Sequence, residues 1–232
     1  MSMSVSLERR LLRFLAAVAA GGLLLGVASS ASAANQGGRN TLSSSDLNGN
    51  YAVLTATGAF NPNSGTCVLI SVLAYDQTAD KQLEVGAARC NNQTIDGSCT
   101  SGHRFVEQYL GDNVYHCHEH AGFSNFVDMT YWVDRPSSSS GTFTAHIDSN
   151  TWESQSGFTP GTNVQGYVWM ERTGSSTSCS GWGPATASVN YWQKTVGVDN
   201  WTYATGPRYD PTNCFSISNV SSIGSFDVAK SS

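Results

Sequence analysis

The chain has 232 residues, of which 40% are hydrophobic and 12% charged, and its formal net charge is −5. The apolar fraction is too high for a disordered chain, and the sequence has neither the glycine period of collagen nor a sustained heptad. The small negative charge offers no cationic surface for nucleic acid. Composition and length therefore predict a globular protein with a single domain that does not bind nucleic acid.

Residues 1–33 have the three parts of a secretory signal peptide. Arginines within 9–13 precede an almost wholly apolar run over 14–27, and Ala31-Ser32-Ala33 supplies the small residues that a signal peptidase recognises. The apolar run is shorter than the ~20 residues that a membrane-spanning helix needs. We predict cleavage after Ala33 and a secreted, extracellular protein without membrane contact once the signal is removed.

The remaining chain predicts a flexible leader followed by short strands. Residues 34–50 are rich in Asn, Gly and Ser, which is typical of a loosely held segment. After them, short apolar runs alternate with Gly, Pro and Ser turn signals, and no amphipathic helix of more than two turns occurs. We predict an all-β fold, an antiparallel two-sheet sandwich over 51–205, with a C-terminal extension over 206–232. The predicted strands cover 51–57, 67–75, 82–89, 104–110, 126–133, 142–147, 164–172, 185–192 and 201–204.

Six cysteines remain in the mature chain, and in an oxidising compartment an even number predicts disulfide bonds. A pair Cys90–Cys99 is favoured because the polar residues between them could fold back as a loop. A pair Cys179–Cys214 would tether the C-terminal extension. Six cysteines allow about 15 pairings, so the connectivity stays open. The disulfide-forming residues are Cys67, Cys90, Cys99, Cys117, Cys179 and Cys214.

Two predicted strands carry the same alternating pattern. Because successive side chains of a strand lie on opposite faces, Glu107 and Glu171 each share a face with aromatic residues, while aliphatic residues occupy the other face. The aliphatic faces suit the core between the sheets, and the aromatic faces suit a ligand. Ordinary solvent-facing glutamates are the alternative interpretation. The candidate catalytic residues are Glu107 and Glu171, and the candidate ligand-binding residues are Phe105, Tyr109, Tyr167 and Trp169.

Four segments in succession carry a resemblance to a known group of folds. They are Leu83-Glu84-Val85-Gly86, 105–109, 126–133 and 164–171. Their order and spacing, over about residues 70–192, resemble the strand order of concanavalin-like jelly rolls, and are most similar to the secreted glutamic peptidases and the neprosin domain. The resemblance implies a bent sandwich, stabilised here by disulfides, that holds substrate on its concave face.

The resemblance also implies catalytic roles for carboxylates. Glutamic peptidases pair a Glu with a Gln, and neprosin pairs two Glu. Glu171 lies where the later Glu is expected, and Glu107 lies on a suitable earlier strand. Neither Gln77 nor Gln82 matches the position of the catalytic Gln. Xylanase-type jelly rolls also use two Glu, but the residues that surround those glutamates are absent here.

A second candidate site is His116-Cys117-His118-Glu119-His120. In extended backbone the three histidines share one face and Cys117 points to the other, so His116 and His118 could chelate one transition metal. All three could do so only if the strand bends. The alternative is a surface loop held by Cys117. We predict that no cofactor is required and that any metal at His116 and His118 is weakly bound.

Three functions remain open at this stage. The first is a secreted binding protein that holds an extracellular polysaccharide or polypeptide on the aromatic, Glu-bearing face. The second is a two-carboxylate hydrolase, foremost an acid endopeptidase of the glutamic type and less so a glycosidase, in which one carboxyl is protonated while the other activates water. The third is a structural exoprotein. We expect a monomer in each case.

Overall fold

The computed structural model describes residues 35–40, 47–95, 99, 103–111, 114–122, 129–161, 164–174, 185–195, 200–204, 208–209, 214–218 and 225–230. These belong to one compact unit, Ser32–Ser232. The predicted signal peptide lies outside the described residues. Within the ranges described, no helix has the length and apolar character needed to cross a membrane.

The described residues form β-strands joined by turns and irregular segments. In chain order the strands are β1 Asn35–Asn40, β2 Leu47–Phe60, β3 Thr66–Asp76, β4 Lys81–Asn91, β5 His103–Tyr109, β6 Tyr115–Gly122, β7 Met129–Asp134, β8 Thr142–Ile147, β9 Asn150–Ser156, β10 Val164–Gly174, β11 Ala185–Thr195, β12 Thr202–Tyr203, β13 Arg208–Tyr209, β14 Phe215–Ser218 and β15 Ser225–Lys230.

The strands assemble into two antiparallel sheets. Sheet A has the order β13-β1-β10-β3-β4-β5-β6, and sheet B has the order β14-β15-β11-β2-β7-β8-β9, with β12 paired to β11. The predicted all-β, antiparallel two-sheet sandwich is therefore confirmed. Each predicted strand overlaps an observed one, and the strand predicted over 142–147 coincides with β8.

The core lies between the sheets and is built from the aliphatic side chains that alternate along each strand. In sheet A, Ile70 and Val72 of β3 and Val85 of β4 are buried in it, and Leu54 of β2 and Val189 of β11 are buried from sheet B. The remaining side chains of these strands lie on the outer faces. We call the face of sheet A that points away from sheet B the outer face of sheet A, and name the corresponding face of sheet B in the same way.

Segments without apolar alternation also form strands. Residues 35–40, expected as part of a flexible leader, instead form β1 between β10 and β13. In the expected C-terminal extension, β14 and β15 extend sheet B from β11, and Ile217 and Val228 are buried in the core. The strands β6 and β9 are the last strands of their sheets. Such positions rely on backbone pairing along one side and need no apolar alternation, which is why the sequence pattern did not reveal them.

Two disulfide bonds connect neighbouring parts of sheet A. Cys67 of β3 is bonded to Cys90 of β4, and Cys99 is bonded to Cys117 of β6. The expected pair Cys90–Cys99 is therefore wrong. In the β3–β4 hairpin Cys67 and Cys90 are direct partners across the ladder, so Cys90 meets Cys67 rather than Cys99. Cys214 is also disulfide-bonded, and Cys179 lies outside the described residues.

A buried amide joins the two sheets. Asn50 of β2 is fully buried, and its Nδ2 donates hydrogen bonds of 2.8 Å to the carbonyl oxygens of Leu73 in β3 and Tyr167 in β10. Because a buried donor that loses its acceptors is costly, these bonds favour one alignment of sheet B on sheet A. Asn50 thereby helps to fix the position of β3 and β10, two of the strands that carry the site described next.

Candidate functional site

The strand β4 places two polar side chains on the outer face of sheet A. Leu83, Val85 and Ala87 point into the core, so the alternation of a strand directs Gln82 and Glu84 to the opposite face. Both polar side chains are nevertheless buried, with exposed fractions of 7% and 3%. A carboxyl group at this depth is costly unless hydrogen bonds satisfy it.

Three donors from three strands surround the Glu84 carboxylate. Gln82 Nε2 donates a hydrogen bond of 2.6 Å to Oε2 of Glu84. Ser71 Oγ of β3 donates a short hydrogen bond to Oε1, and Trp169 Nε1 of β10 donates to the same atom over 3.4 Å. Ser71 is the direct partner of Trp169 across the β3–β10 ladder, which explains why both reach one oxygen. This arrangement is suited to an ionised carboxylate, because hydrogen bonds to the charged form stabilise it.

A glycine keeps β3 close to this group. Gly86 of β4 is the direct partner of Ser71. A Cβ added at Gly86 would lie 2.7 Å from the Ser71 Cβ and would also clash with the Ile70 carbonyl. Only glycine therefore fits at this position without displacing Ser71, the residue that donates to Glu84.

The predicted aromatic ligand residues lie near Glu84 and are buried. Tyr167 and Trp169 pack together with Leu73 and Tyr75 in a cluster on the outer face, with 5.2 Å between the Tyr167 and Trp169 ring centroids. The exposed fractions of Tyr109, Tyr167 and Trp169 are 4%, 5% and 6%. These rings therefore present little open surface for stacking. Phe105 is part of β5, and its side chain lies outside the described residues.

The hydroxyl groups of the two tyrosines have partners within the protein. Tyr167 Oη donates to Gln165 Oε1 over 2.6 Å, and Tyr109 Oη donates to Asp80 Oδ2 over 3.0 Å. Asp80 lies in the turn between β3 and β4 and has a positive φ of 51°. Hydrogen bonds of this kind hold the aromatic rings in defined positions around Gln82 and Glu84.

The two predicted catalytic glutamates are far from each other. Glu107 of β5 is the direct partner of Glu84, whereas Glu171 lies on β10, three strands from β5. The position on β10 level with Glu107 is Tyr167, four residues before Glu171. With strands ~4.8 Å apart and residues ~3.3 Å apart, the Cα atoms of Glu107 and Glu171 are separated by about 20 Å. Glu84, rather than Glu171, is the glutamate that the fold brings beside Glu107.

Sequence reasoning did not assign a role to Glu84. The residue lies inside the segment Leu83-Glu84-Val85-Gly86 that carried the family resemblance, and alternation with Leu83 and Val85 predicts its face. The signal that could have found it is the β3–β4 hairpin. Once the turn is placed between Asp76 and Lys81, the ladder sets Glu84 level with Leu73 and beside Ser71.

The histidine segment was not among the predicted strands, but it forms the strand β6, so the extended interpretation holds rather than the surface loop. Cys117 is buried, while His116 and His118 are exposed on the other face. His118 Nδ1 contacts Glu153 Oε1 of β9, and the His120 ring lies 4.0 Å from the Trp152 ring. In the described part of the chain, no group of three or more His, Cys, Asp or Glu has a geometry that could hold a metal ion. The predicted weak metal site at His116 and His118 therefore remains a prediction.

Burial affects one of these histidines. The pKa of His120 is lowered from its ordinary value, first because burial disfavours the charged ring and to a smaller extent because of the neighbouring His118, while Glu153 acts in the opposite direction. The buried Nε2 atom of His120 has no hydrogen-bond partner. Burial thus favours the neutral form of the His120 ring, which lies where the edge strands β6 and β9 of the two sheets meet.

Comparison with known proteins yields similarities of fold alone. No protein-family model matches the chain, and a search of curated proteins gives no match. Among solved structures, the chain is similar to scytalido-glutamic peptidase with a peptide-based transition state analog, with 14% identity, coverage of 86% of this chain and 100% of that chain, and a TM-score of 0.49. SCP-B, a member of the eqolisin family of peptidases in complex with the tripeptide Ala-Ile-His, has 15% identity, the same coverages and a TM-score of 0.46.

A third similar structure is the beta-glucanase of Bacillus licheniformis. Its identity is 11%, the match covers 80% of this chain and 64% of that chain, and the TM-score is 0.35. These similarities agree with the weak resemblance to concanavalin-like jelly rolls and glutamic peptidases that the sequence predicted. They assign no role to any residue of this chain.

Proposed function

We propose that the chain is a secreted hydrolase whose active site is the outer face of sheet A around Glu84. The observation that carries the proposal is the buried Glu84 carboxylate with its three donors, Gln82, Ser71 and Trp169. A buried carboxylate in a cluster of aromatic rings is expensive for a fold to maintain, and such groups are concentrated at functional sites. The signal-like segment 1–33 and the disulfide bonds support secretion.

Hydrolysis of a peptide bond suits the pair Glu84 and Gln82. The Glu84 carboxylate would accept a proton from a water molecule as that water attacks the carbonyl carbon. The Gln82 amide, whose Nε2 is 2.6 Å from Glu84, would turn its N–H toward the oxygen on which negative charge develops. Glu84 would then return the proton to the leaving amine. Glutamic peptidases also pair a Glu with a Gln, but Gln82 does not match the position of the Gln in that family, so this assignment depends on the contact between Gln82 and Glu84 alone.

Hydrolysis of a glycosidic bond is the second candidate, and a different observation favours it. Glu84 and Glu107 are direct partners on neighbouring strands, and Cβ atoms of such partners lie about 4.5–5.5 Å apart. A retaining glycosidase needs two carboxyl groups about 5 Å apart, one acting as acid and the other as nucleophile, and two glutamates at paired backbone positions are close enough in sequence register to supply them. In this mechanism Glu107 keeps the catalytic role predicted from the sequence, with Glu84 in place of Glu171.

Access to the carboxylate has a structural requirement. Glu84 is 3% exposed and Trp169 is 6% exposed, so a substrate can reach the carboxylate only when side chains above it move. We therefore expect Trp169, which donates to Glu84, to change its surroundings when substrate binds. Quenching or a spectral shift of tryptophan fluorescence that is lost in Trp169→Phe would report this movement.

The test is a screen of the purified mature protein for cleavage of denatured casein and of a panel of neutral polysaccharides across pH 3–8. Glu84→Gln should reduce the rate at least 100-fold, because it removes the proton acceptor and keeps the shape of the side chain. Glu171→Gln is the matched control, since this glutamate lies on the same sheet but away from Glu84. Gln82→Leu should affect cleavage of casein, and Glu107→Gln should affect cleavage of a polysaccharide.

The alternatives give different results in the same screen. Loss of activity in Glu107→Gln and Glu171→Gln but not in Glu84→Gln would show that the catalytic residues are the pair predicted from the sequence and would contradict the role of Glu84. Binding of peptide or polysaccharide without turnover would support a binding protein and overturn the hydrolase. Neither binding nor turnover on this face would leave a structural exoprotein.

A further inference from the structure

The outer face of sheet B carries a line of rings that the site on sheet A does not use. Four aromatic side chains and one histidine are successive partners across five neighbouring strands, which places them in one row at right angles to the strands. We call this set the aromatic row. It consists of Tyr203 on β12, Trp192 on β11, Tyr51 on β2, Trp132 on β7 and His146 on β8.

The rings of the aromatic row touch one another. The centroid distances are 5.5 Å from Tyr203 to Trp192, 5.0 Å from Trp192 to Tyr51 and 5.9 Å from Tyr51 to Trp132. Trp132 stacks on His146 at 4.6 Å with 7° between the ring planes. With strands ~4.8 Å apart, five positions in a row extend over about 20 Å. The row is therefore a continuous surface as long as several sugar units.

The end of the row at β11 and β12 is open to solvent. Tyr203 is 51% exposed, and Trp201, which lies 5.5 Å from Tyr51 between ring centroids, is 37% exposed. A Cβ added at Gly49 would lie 2.6 Å from the tip of the Trp201 ring, so glycine at this position makes room for Trp201. Large aromatic side chains at exposed positions of a strand are informative, because they gain little from burial there.

The rest of this face is mostly polar. Apart from Gly49 and Val53 on β2 and the exposed Trp201, the positions beside the row in the same strands carry hydroxyl, amide or charged side chains, so the apolar surface forms a strip. At the β8 end of the strip His146 Nε2 lies 3.0 Å from Asp134 Oδ1, and Thr151 Oγ1 lies 3.2 Å from His146 Nδ1. The polar residues beside the row are Thr130, Asp134, Thr144, Asn190 and Lys194.

We propose that the aromatic row binds a linear, neutral polysaccharide that lies across the strands of sheet B. Sugar rings have an apolar C–H face, which stacks on aromatic rings, and a rim of hydroxyl groups, which need hydrogen-bond partners. The row supplies the aromatic rings for stacking, and the polar side chains beside it supply the hydrogen-bond partners. The few charged groups beside the row, among them Asp134 and Lys194, are of both signs and do not favour a charged polymer.

Other occupants fit this surface less well. A membrane or an acyl chain would need a broad apolar patch, whereas this strip is bordered by hydroxyl and amide groups. An extended peptide that adds to a sheet uses the free edge of a strand, but the row crosses the middle of sheet B, where β2 is already paired with β7 and β11. The site lies on the sheet opposite to Glu84 and does not depend on the proposed hydrolase.

The test is binding of the mature protein to insoluble cellulose, chitin and β-1,3-glucan in a depletion assay, with soluble cello- and laminari-oligosaccharides in calorimetry. Wild type should bind at least one neutral glycan. The double variant Trp201→Ala, Tyr203→Ala should weaken that binding at least tenfold, and Trp132→Ala should do the same. Trp132→Phe keeps an aromatic ring and should retain most of the affinity. Gly49→Ala should weaken binding by displacing Trp201.

Trp152→Ala is the matched control. Trp152 is an equally exposed tryptophan on β9, with 36% of its surface exposed, but it packs on His120 and not on the row. It should leave glycan binding unchanged, whereas the row variants should still cleave any soluble substrate of the sheet A site. Circular dichroism of each variant checks the fold.

Several outcomes would overturn the proposal. The first is no binding to any neutral glycan, and the second is an equal loss of binding in Trp152→Ala. The third is preferential binding to polygalacturonate, phosphatidylcholine vesicles or a proline-rich peptide. A row variant that binds as wild type does while retaining its fold would place the glycan elsewhere and would also contradict it.

Discussion

Burial of the His120 ring makes the stability of the protein depend on pH. Its pKa lies below the ordinary 6.5 because burial disfavours the charged ring. Below about pH 6.5 the unfolded chain binds a proton at this residue that the folded protein binds less readily, so the free energy of unfolding falls as the pH decreases through that value. Urea unfolding at pH 7.5 and 5.5 should reveal a smaller loss of stability in His120→Gln than in the wild type.

The control for this effect is His116→Gln, since His116 is exposed on the same strand. It should lose stability between the two pH values to the same extent as the wild type. Equal pH dependence in wild type and His120→Gln would contradict the assignment to His120.

Alternation along a strand predicts the face of a residue but not its partners across the sheet. It correctly set Val106, Val168 and Met170 in the core and the aromatic residues Tyr167 and Trp169 on the opposite face. Which carboxylates approach each other depends on strand order, and in sheet A β10 and β5 are separated by β3 and β4. For this reason the sequence pattern identified Glu107 and Glu171, which share a face with aromatic residues, but did not show that Glu84 is the glutamate beside Glu107.

At the scale of elements, a buried arginine joins the loops that follow β7 and β9. Arg135 is fully buried. Its Nε donates to Asn48 Oδ1 over 2.9 Å, and its terminal nitrogens donate to the carbonyl oxygens of Ser140, Thr159 and Gly161 over 3.4, 3.3 and 2.9 Å. One planar guanidinium thus satisfies acceptors from three separate segments.

Replacement of Arg135 by lysine should therefore destabilise the protein. An ammonium group cannot reproduce the planar arrangement of donors, and several buried acceptors would lose their partners. We expect Arg135→Lys to lower the free energy of unfolding by about 2–4 kcal/mol. Urea denaturation measures this loss, and Arg89→Lys, at a half-buried position of β4, should change stability by much less. A loss in Arg135→Lys no larger than in Arg89→Lys would be inconsistent with the role assigned to the guanidinium.

The disulfide between Cys99 and Cys117 fastens a short irregular segment to the edge strand β6. Within that segment Ile95 and Cys99 exchange backbone hydrogen bonds of 2.8 and 3.1 Å. The double variant Cys99→Ala, Cys117→Ala should lose about 2–5 kcal/mol of stability. Hydrogen exchange should also become faster at the amides of Ile95 and Cys99, because the segment opens locally when it is not tethered.

The matched variant Cys67→Ala, Cys90→Ala should lose a similar amount of stability but leave the Ile95 and Cys99 amides protected. Equal protection of these amides in both variants would contradict the proposal that the Cys99–Cys117 disulfide tethers this segment. The pair Cys67–Cys90 follows from strand register rather than from spacing, since the two residues are partners within a hairpin whose strands were both predicted.

Elements at the margins of the sheets were the hardest to predict. The strand β8 was predicted with its observed limits because its side chains alternate between half-buried and buried positions. By contrast β9 has one buried residue, Gln155, and no apolar alternation. The strand β1 is held by backbone pairing to β10, which is distant in the chain, and β9 is the last strand of its sheet, held by pairing to β8 along one side, so neither needs a local apolar pattern.

For the whole molecule, secretion and oxidation remain predictions with a direct test. Mass spectrometry of protein recovered outside the cell should give a chain that begins at Ala34, because the small residues 31–33 precede the expected cleavage point. Its mass should be lower than that of the reduced chain by the mass of about six protons, as three disulfides require. An uncleaved N-terminus, or two free thiols in the native protein, would contradict these predictions.

The strands at the centre of each sheet come from distant parts of the chain. In sheet B, β2 pairs with β11, and in sheet A, β3 pairs with β10. Pairings that close such long loops form slowly, in the range of about milliseconds to seconds. A growing chain that ends before residue 164 leaves one side of β2 and one side of β3 unpaired, and free strand sides attract other chains. The C-terminal strands thus act as the chain's own protection against aggregation, and a truncated product would lack it.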